Sequence, residues 1–369
     1  MSRYIHLLKG WPTFKWEDEN IILPLSTVRH KQGRLLGKLE GLGFRLREEA
    51  TLETLTQDVI KSSEIEGEKL PADQVRSSIA KRLGIKIAGE VTANRNVEGV
   101  VEMMLDATQR HDELLTDERL FGWHASLFPT GRSGMFKIQI GGWRDDAKGP
   151  MQVVSGVIGR EKVHYEAPEA QRLNAEMNKF LDWFNNTTTM DPVLKAAIAH
   201  LWFVTIHPFD DGNGRIARAI TDMQLARADA SRQRFYSMSA QIQRERDIYY
   251  NILEKTQKGN LDITKWLLWF IECLDRAISL SEENLSGVTQ KAKFWETHQG
   301  VALNERQRKM LNKLVDGFDG KLTSSKWARI AKCSPDTALR DIQDLIEKRI
   351  LQKEEGGGRS TSYRIRLAT

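Results

Sequence analysis

One stretch of twelve residues, His207-Pro208-Phe209-Asp210-Asp211-Gly212-Asn213-Gly214-Arg215-Ile216-Ala217-Arg218, concentrates the side chains that handle a phosphate chain. His207 is the side chain there that acts as a base near neutral pH. Asp211 is a hard oxygen ligand at the lip of a loop, suited to a magnesium ion shared with phosphates. Gly212, Asn213 and Gly214 let the backbone turn with its N–H groups converging, and a helix beginning there makes an anion site. Arg215 and Arg218 fall three apart on one face of that helix, where two guanidinium forks reach phosphate oxygens. Base, metal ligand and anion cradle together point to phosphoryl or nucleotidyl transfer. No GxxxxGK[ST] occurs in the chain, which excludes a P-loop enzyme.

The elements around this stretch must hold those side chains in place. Asp191 is a good N-cap and Pro192 takes the first helical position, so a helix is expected through residues 193–206, which are apolar nearly all round. Pro208 stops it, since proline cannot donate and biases its predecessor away from the α region. His207 is thereby presented at a helix end. A second helix is expected from Arg215 to about Ala228. A third runs from about Leu52 towards Glu66: Leu52, Leu55 and Val59 form its apolar stripe, and Ser62 and Glu66 continue that face. A carboxylate on a buried face needs a cation, and at a helix C-terminus capped by Gly67 the dipole disfavours it too. Both arguments ask for an arginine beside Glu66.

Residues 207–218 match HxFx[DE]GNGRxxR at every fixed position, and on that motif the chain resembles the Fic family. The resemblance implies a mainly α fold, a Fic-type helical core with a small β-hairpin flap. It also implies a protein adenylyltransferase, moving AMP from ATP to a Ser, Thr or Tyr hydroxyl of a target protein or of the enzyme itself. In that reading His207 deprotonates the hydroxyl and Asp211 holds Mg2+. Gly212, Asn213 and Gly214 grip the α-phosphate region, and Arg215 and Arg218 bind the β- and γ-phosphates. Such a reaction is almost wholly positioning plus charge neutralisation. Ser62-x-x-x-Glu66-Gly67 resembles the family's inhibitory motif [ST]xxxE[GN]. There Glu66 reaches into the ATP site, pairs with Arg218 and blocks productive γ-phosphate binding, so the resemblance implies an enzyme that restrains itself.

Residues 151–155 and 163–165 read as the strands of a short hairpin. Gln152, Val153, Val154 and Ser155 fall where the family's flap holds a target segment by strand addition. Tyr249, of the pair Tyr249-Tyr250, is expected to stack on adenine, while Gln257 stands where relatives often carry an asparagine. His200 and His124 read as core histidines. Two other readings stay open. One is removal of AMP from a modified protein, with Glu66 activating water; the other is a DNA-binding regulator whose Fic domain senses nucleotide.

At 369 residues the chain has room for a large core and an accessory module. It divides as an N-terminal helical region with the inhibitory motif (1–105), a Fic core (106–285), a connector (286–300) and a C-terminal winged-helix domain (301–369). Cys273 and Cys333, far apart, argue against a disulfide framework, and no Cys/His spacing suits zinc. No signal-peptide pattern opens the chain and no apolar run approaches a membrane span, so a cytoplasmic protein without membrane contact is expected.

The net charge of +5 is unevenly placed: residues 291–369 carry 17 Lys+Arg against 10 Asp+Glu, leaving −2 for the rest. In that tail Asn304 caps a helix bearing Met310, Leu311 and Leu314, and 323–331 read as a second. Ser334 caps a third, with Pro335 first and Leu339, Ile342 and Leu345 as its stripe. Residues 350–366 read as a two-stranded wing around a glycine turn, completing a winged helix. Wing residues Arg359, Arg364 and Arg366 suit phosphates, yet 334–349 hold three basic side chains against four acidic, a poor balance for a major-groove reader. A DNA or a protein partner here, and a homodimer, stay open. ATP and a hydroxyl-bearing target protein are the partners the resemblance implies.

Overall fold

The first helix, α1 (Asp18–Glu40), opens with Asp18 and Glu19, where the helix dipole favours acids, and lays Ile21, Val28, Leu35 and Leu39 into the core. α2 (Phe44–Ile65) buries Leu52, Leu55, Val59 and Ser62. α3 (Ala72–Leu83) is followed by α4 (Arg95–Gln109) and α5 (Asp117–Leu127), whose N-caps Asn94 and Thr116 accept from the Val97 and Arg119 N–H groups. The computed structural model describes residues 4–366 except 88, 148, 157–159, 161, 316, 317, 319 and 355–360, and of 286–293 the backbone alone.

Two antiparallel ladders then interrupt the helices: β1 (Arg132–Ser133) with β2 (Phe136–Lys137), and β3 (Gln152–Ser155) with β4 (Lys162–Glu166). In the second, Gln152 lies opposite Glu166 and Val153 opposite Tyr165, and the register shifts between Val153 and Val154. α6 (Leu173–Asn186) leads to α7 (Pro192–Ile206), which Asp191 caps through the Val193 N–H and which is buried at every position from Val193 to Ile206. A helix apolar on all sides belongs at the centre. Its most extensive partner is α8 (Asn213–Asp229). α9 (Met238–Arg244), α10 (Arg246–Gln257) and α11 (Thr264–Thr297) follow.

The chain divides into two units, Met1–Ser281 and Glu282–Thr369, which corrects the expected boundaries. Residues 1–105 are not a region apart, because α2 and α4 pack on α8, and Asp58 of α2 accepts from the Ser237 hydroxyl and the Ser239 N–H. The connector expected at 286–300 is helical through Thr297. No proline falls between Ser281 and Thr297, and Gly287 alone costs a helix only about 1 kcal/mol.

The second unit has its own core, built on Met310, Leu311, Trp327, Ile342, Leu345 and Leu351. α12 (Glu305–Val315), α13 (Ser324–Ala331) and α14 (Pro335–Glu347) start at Asn304, Thr323 and Ser334, each side chain accepting from the N–H three residues on. β5 (Leu351–Lys353) pairs antiparallel with β6 (Tyr363–Ile365), Gln352 opposite Arg364. The glycine turn of the expected wing, with Arg359, lies outside the described residues. Asp341 accepts from Arg306 at 2.9 and 3.1 Å and Asp344 from Lys348 at 2.6 Å, so two of the four acids in 334–349 are neutralised within the unit. Among the described residues no helix is long and apolar enough to cross a membrane.

Candidate active site

α7 ends on His207, which adopts φ 52 and ψ 58 and donates its N–H to the Phe203 carbonyl at 3.0 Å. That left-handed turn costs an L-residue about 1–2 kcal/mol. Arg144 holds it. Its side chain is fully buried, its N–H donates to the Pro208 carbonyl at 2.9 Å, and its Nε donates to the His207 carbonyl at 2.8 Å. The guanidinium also binds the Pro168 carbonyl and Asp146. The His207 Nδ1 lies 3.3 Å from the Val204 carbonyl, which only accepts, so the proton sits on Nδ1 and the lone pair on Nε2. Burial pushes the imidazole down to about 4, the Val204 carbonyl opposing more weakly, so His207 is neutral at physiological pH.

The loop after it is shaped by groups that face one another across it. Phe209 is buried and stacks on His124, ring centroids 4.2 Å apart. His124 is a buried histidine as expected from its helix, but its Nε2 lies 3.2 Å from the Asp211 carbonyl, so it also fixes the loop. Asn213 accepts from the Phe209 N–H at 3.0 Å and donates to the Phe209 carbonyl at 2.7 Å. Its amide is 2% exposed and holds the loop itself, with both ends bonded to the Phe209 backbone. The carboxylate of Asp211 accepts from the Gly212 N–H at 2.6 Å and from the Ser133 hydroxyl of β1. A cleft of roughly 420 Å3 borders it, lined by Ser133, Lys137, Gln152, Asp210 and Asp211 among others.

Arg218 lies beneath the loop, 1% exposed. Its Nε donates to the Ser62 hydroxyl at 2.9 Å, and its Nη2 donates to the Ser62 carbonyl and to Glu66 Oε1, both at 2.8 Å. Burial works against the Arg218 charge, but Glu66, Tyr249 and Tyr250 together outweigh it, so the guanidinium stays above its ordinary range. Glu66 Oε1 sits directly over Gly214; a Cβ there would come within 2.2 Å of it. Glu66 therefore takes up space at the loop as well as bringing charge to it. One expectation is corrected in detail: Glu66 is the C-cap of α2 and its side chain stays 31% exposed, so the buried member of the pair is the arginine. Arg215, three residues before Arg218, donates to Glu68 at 2.8 Å.

Tyr249 does not face a place where adenine could stack. It is 2% exposed, donates to His200 Nε2 at 2.9 Å and packs on Trp266 and Trp269. His200, pushed down to about 3 by burial, bonds Thr221 through its other nitrogen and is a satisfied core histidine. The ring beside the site is Tyr250, whose hydroxyl lies 3.4 Å from Glu66 Oε2. Gln257 is buried against the end of α7, donating weakly to Val204 and Thr205.

In the β3–β4 hairpin, Ala167 N–H donates to the Met151 carbonyl, so by antiparallel alternation the Gln152 N–H and C=O point to the free edge. The inner strand is tied down by Tyr165, which donates to the Thr205 carbonyl at 2.7 Å, and by His164 between Ser155 and Glu254. Val153 is half-buried, while Gln152, Val154 and Ser155 are exposed.

Residues 114–225 match the model of the Fic/DOC family, and residues 4–85 match that of a domain of unknown function, DUF4172. Residues 114–225 are thus a Fic domain, the part of the chain that the family model covers. It is 24% identical over 283 residues to the protein adenylyltransferase Fic of Drosophila willistoni, covering 73% of this chain and 50% of that one. To the protein of the same name from Drosophila melanogaster it is 25% identical over 242 residues, covering 63% and 43%. The chain thus spans about half the length of these relatives or less. Its fold is similar to that of a Fic family protein from Desulfovibrio desulfuricans G20, with a TM-score of 0.51 at 20% identity over 94% of this chain and 95% of that one. A Fic domain containing signaling protein from Bacteroides thetaiotaomicron gives 0.50 at 19% identity, covering 73% and 97%.

Proposed function

We propose that this protein transfers AMP from ATP to a protein hydroxyl, itself included, and that Glu66 restrains the transfer. The observation that carries the reading is a neutral His207, its lone pair on Nε2, at the head of a loop whose deepest arginine is already held by a carboxylate. In the reaction, Nε2 takes the proton of the target hydroxyl and the freed oxygen attacks the α-phosphorus. The bond to the bridging oxygen breaks and pyrophosphate leaves. The loop N–H groups and the α8 N-terminus face the phosphates, and Arg215 and Arg218 neutralise the β- and γ-phosphates once released. Asn213 serves by keeping the loop in that shape. The free edge of β3 at Gln152 offers a target segment backbone partners beside Asp211.

A magnesium ion fits this donor set. Asp211, its carboxylate oriented by Ser133 and Gly212, would hold the ion, which would supply charge neutralisation to the phosphates. The partly open Glu66 carboxylate also supports the reverse activity, with Glu66 orienting water to remove AMP from a modified protein.

Incubation with ATP labelled on the α-phosphate tests the reading. His207→Ala should lose transfer by about 10²–10⁴-fold while ATP affinity stays near wild type, because other groups hold the phosphates. Transfer at the wild-type rate would remove His207 from the chemistry.

A further inference from the structure

We propose that Glu68 is a second latch on the nucleotide site and sets which anions the resting enzyme admits. The inference rests on the reading of Arg215 and Arg218 as the phosphate-binding pair. α2 closes in a Schellman turn: the Glu68 N–H donates to the Ser63 carbonyl and the Gly67 N–H to the Glu64 carbonyl, both at 3.0 Å, with Gly67 at φ 84. This closure puts two carboxylates on either side of one glycine. Glu66 takes Arg218 and Glu68 takes Arg215, so each arginine of the pair meets one acid of the same turn.

The Arg215 pair is built as a site. The side chain is 8% exposed, its face lies 5.0 Å over the Phe128 ring, and its Nε is buried without a hydrogen-bond partner. A guanidinium held that way demands an anion, and Glu68, 34% exposed, is the one supplied. Releasing Glu66 alone therefore leaves Arg215 neutralised. A triphosphate must displace both carboxylates, whereas adenosine monophosphate, with no β- or γ-phosphate, has no use for either arginine. The two latches lie in the stretch 4–85 matched by the domain of unknown function, and the arginines lie in the Fic match. In this chain that domain supplies the restraint on both.

The test is a calorimetric titration of the full chain with magnesium-ATP and with AMP, using wild type, Glu66→Gly, Glu68→Gln, the double variant and Glu64→Gln, alongside self-labelling. Glu64 is the charge control, since its carboxylate pairs with Lys61 at 2.7 Å on the same helix end and with neither arginine. Glu68→Gln keeps the side chain's size on a half-open residue, and Glu68→Ala is the second variant. Each should bind ATP about tenfold tighter than wild type, a charged hydrogen bond discounted for exposure. AMP affinity should not change, and the double variant should exceed either single one in ATP affinity and labelling. Wild-type ATP affinity in both Glu68 variants, with Glu66→Gly still activated, would overturn the second latch and leave the transfer reading standing. An equal gain in Glu64→Gln would reduce the effect to net charge and overturn it also. If no variant bound ATP or took label, the reading of the arginines would fall with it.

Discussion

His207 does its work through what surrounds it. Arg144 fixes its left-handed backbone, the Val204 carbonyl fixes its tautomer, and burial fixes its charge. The last has a measurable consequence. In the proposed reaction the neutral imidazole is the base, and protonation would remove it. A group lowered from 6.5 to about 4 stays neutral well below the usual histidine range. Transfer should therefore be flat from about pH 8 down to about pH 5.5 and fall only in more acid solution, with circular dichroism confirming the fold at each point. An acid limb centred near 6.5 would contradict the burial of the base. The residues of the motif were legible in the sequence, but their partners were not. Arg144 acts across 63 positions, Ser133 across 78 and His124 across 87, and no local pattern announces such contacts. Asn213 was assigned to a ligand because an amide serves ligand or backbone equally well; here Phe209 needs both its ends.

At the scale of elements, what was local in cause was readable. Asp191, Asn304 and Ser334 each cap the helix they were expected to cap, because a cap depends on residues two or three away. The start of α2 at Phe44 was missed, since the segment before Leu52 is charged and carries no stripe. In the proposed function the β3–β4 hairpin acts through its edge. Gln152→Pro removes the outward N–H without touching the ladder, because proline is tolerated on an edge strand. Labelling of other proteins in a lysate should drop about tenfold while ATP affinity holds, the loss of one backbone bond and of edge flexibility. Unchanged labelling would mean that targets are held elsewhere.

Across the whole molecule, the proposed restraint joins two stretches far apart in sequence: α2 and the turn that closes it carry Ser62, Glu66 and Glu68, and α8 carries Arg215 and Arg218. The unit Glu282–Thr369 folds around its own core, and the exposed charges of its α14, Asp336, Arg340 and Glu347, are mixed rather than basic. The central claim is that the Glu66–Arg218 pair is a brake on transfer. Its most direct test is self-labelling from ATP carrying label on the α-phosphate, compared between wild type, Glu66→Gly and Glu66→Gly with His207→Ala. Glu66 is a helix cap with an open side chain, so its loss should spare the fold and leave a buried arginine seeking an anion. Labelling should rise roughly tenfold or more in the single variant and vanish in the double. A folded Glu66→Gly protein that labels no faster than wild type would contradict the account.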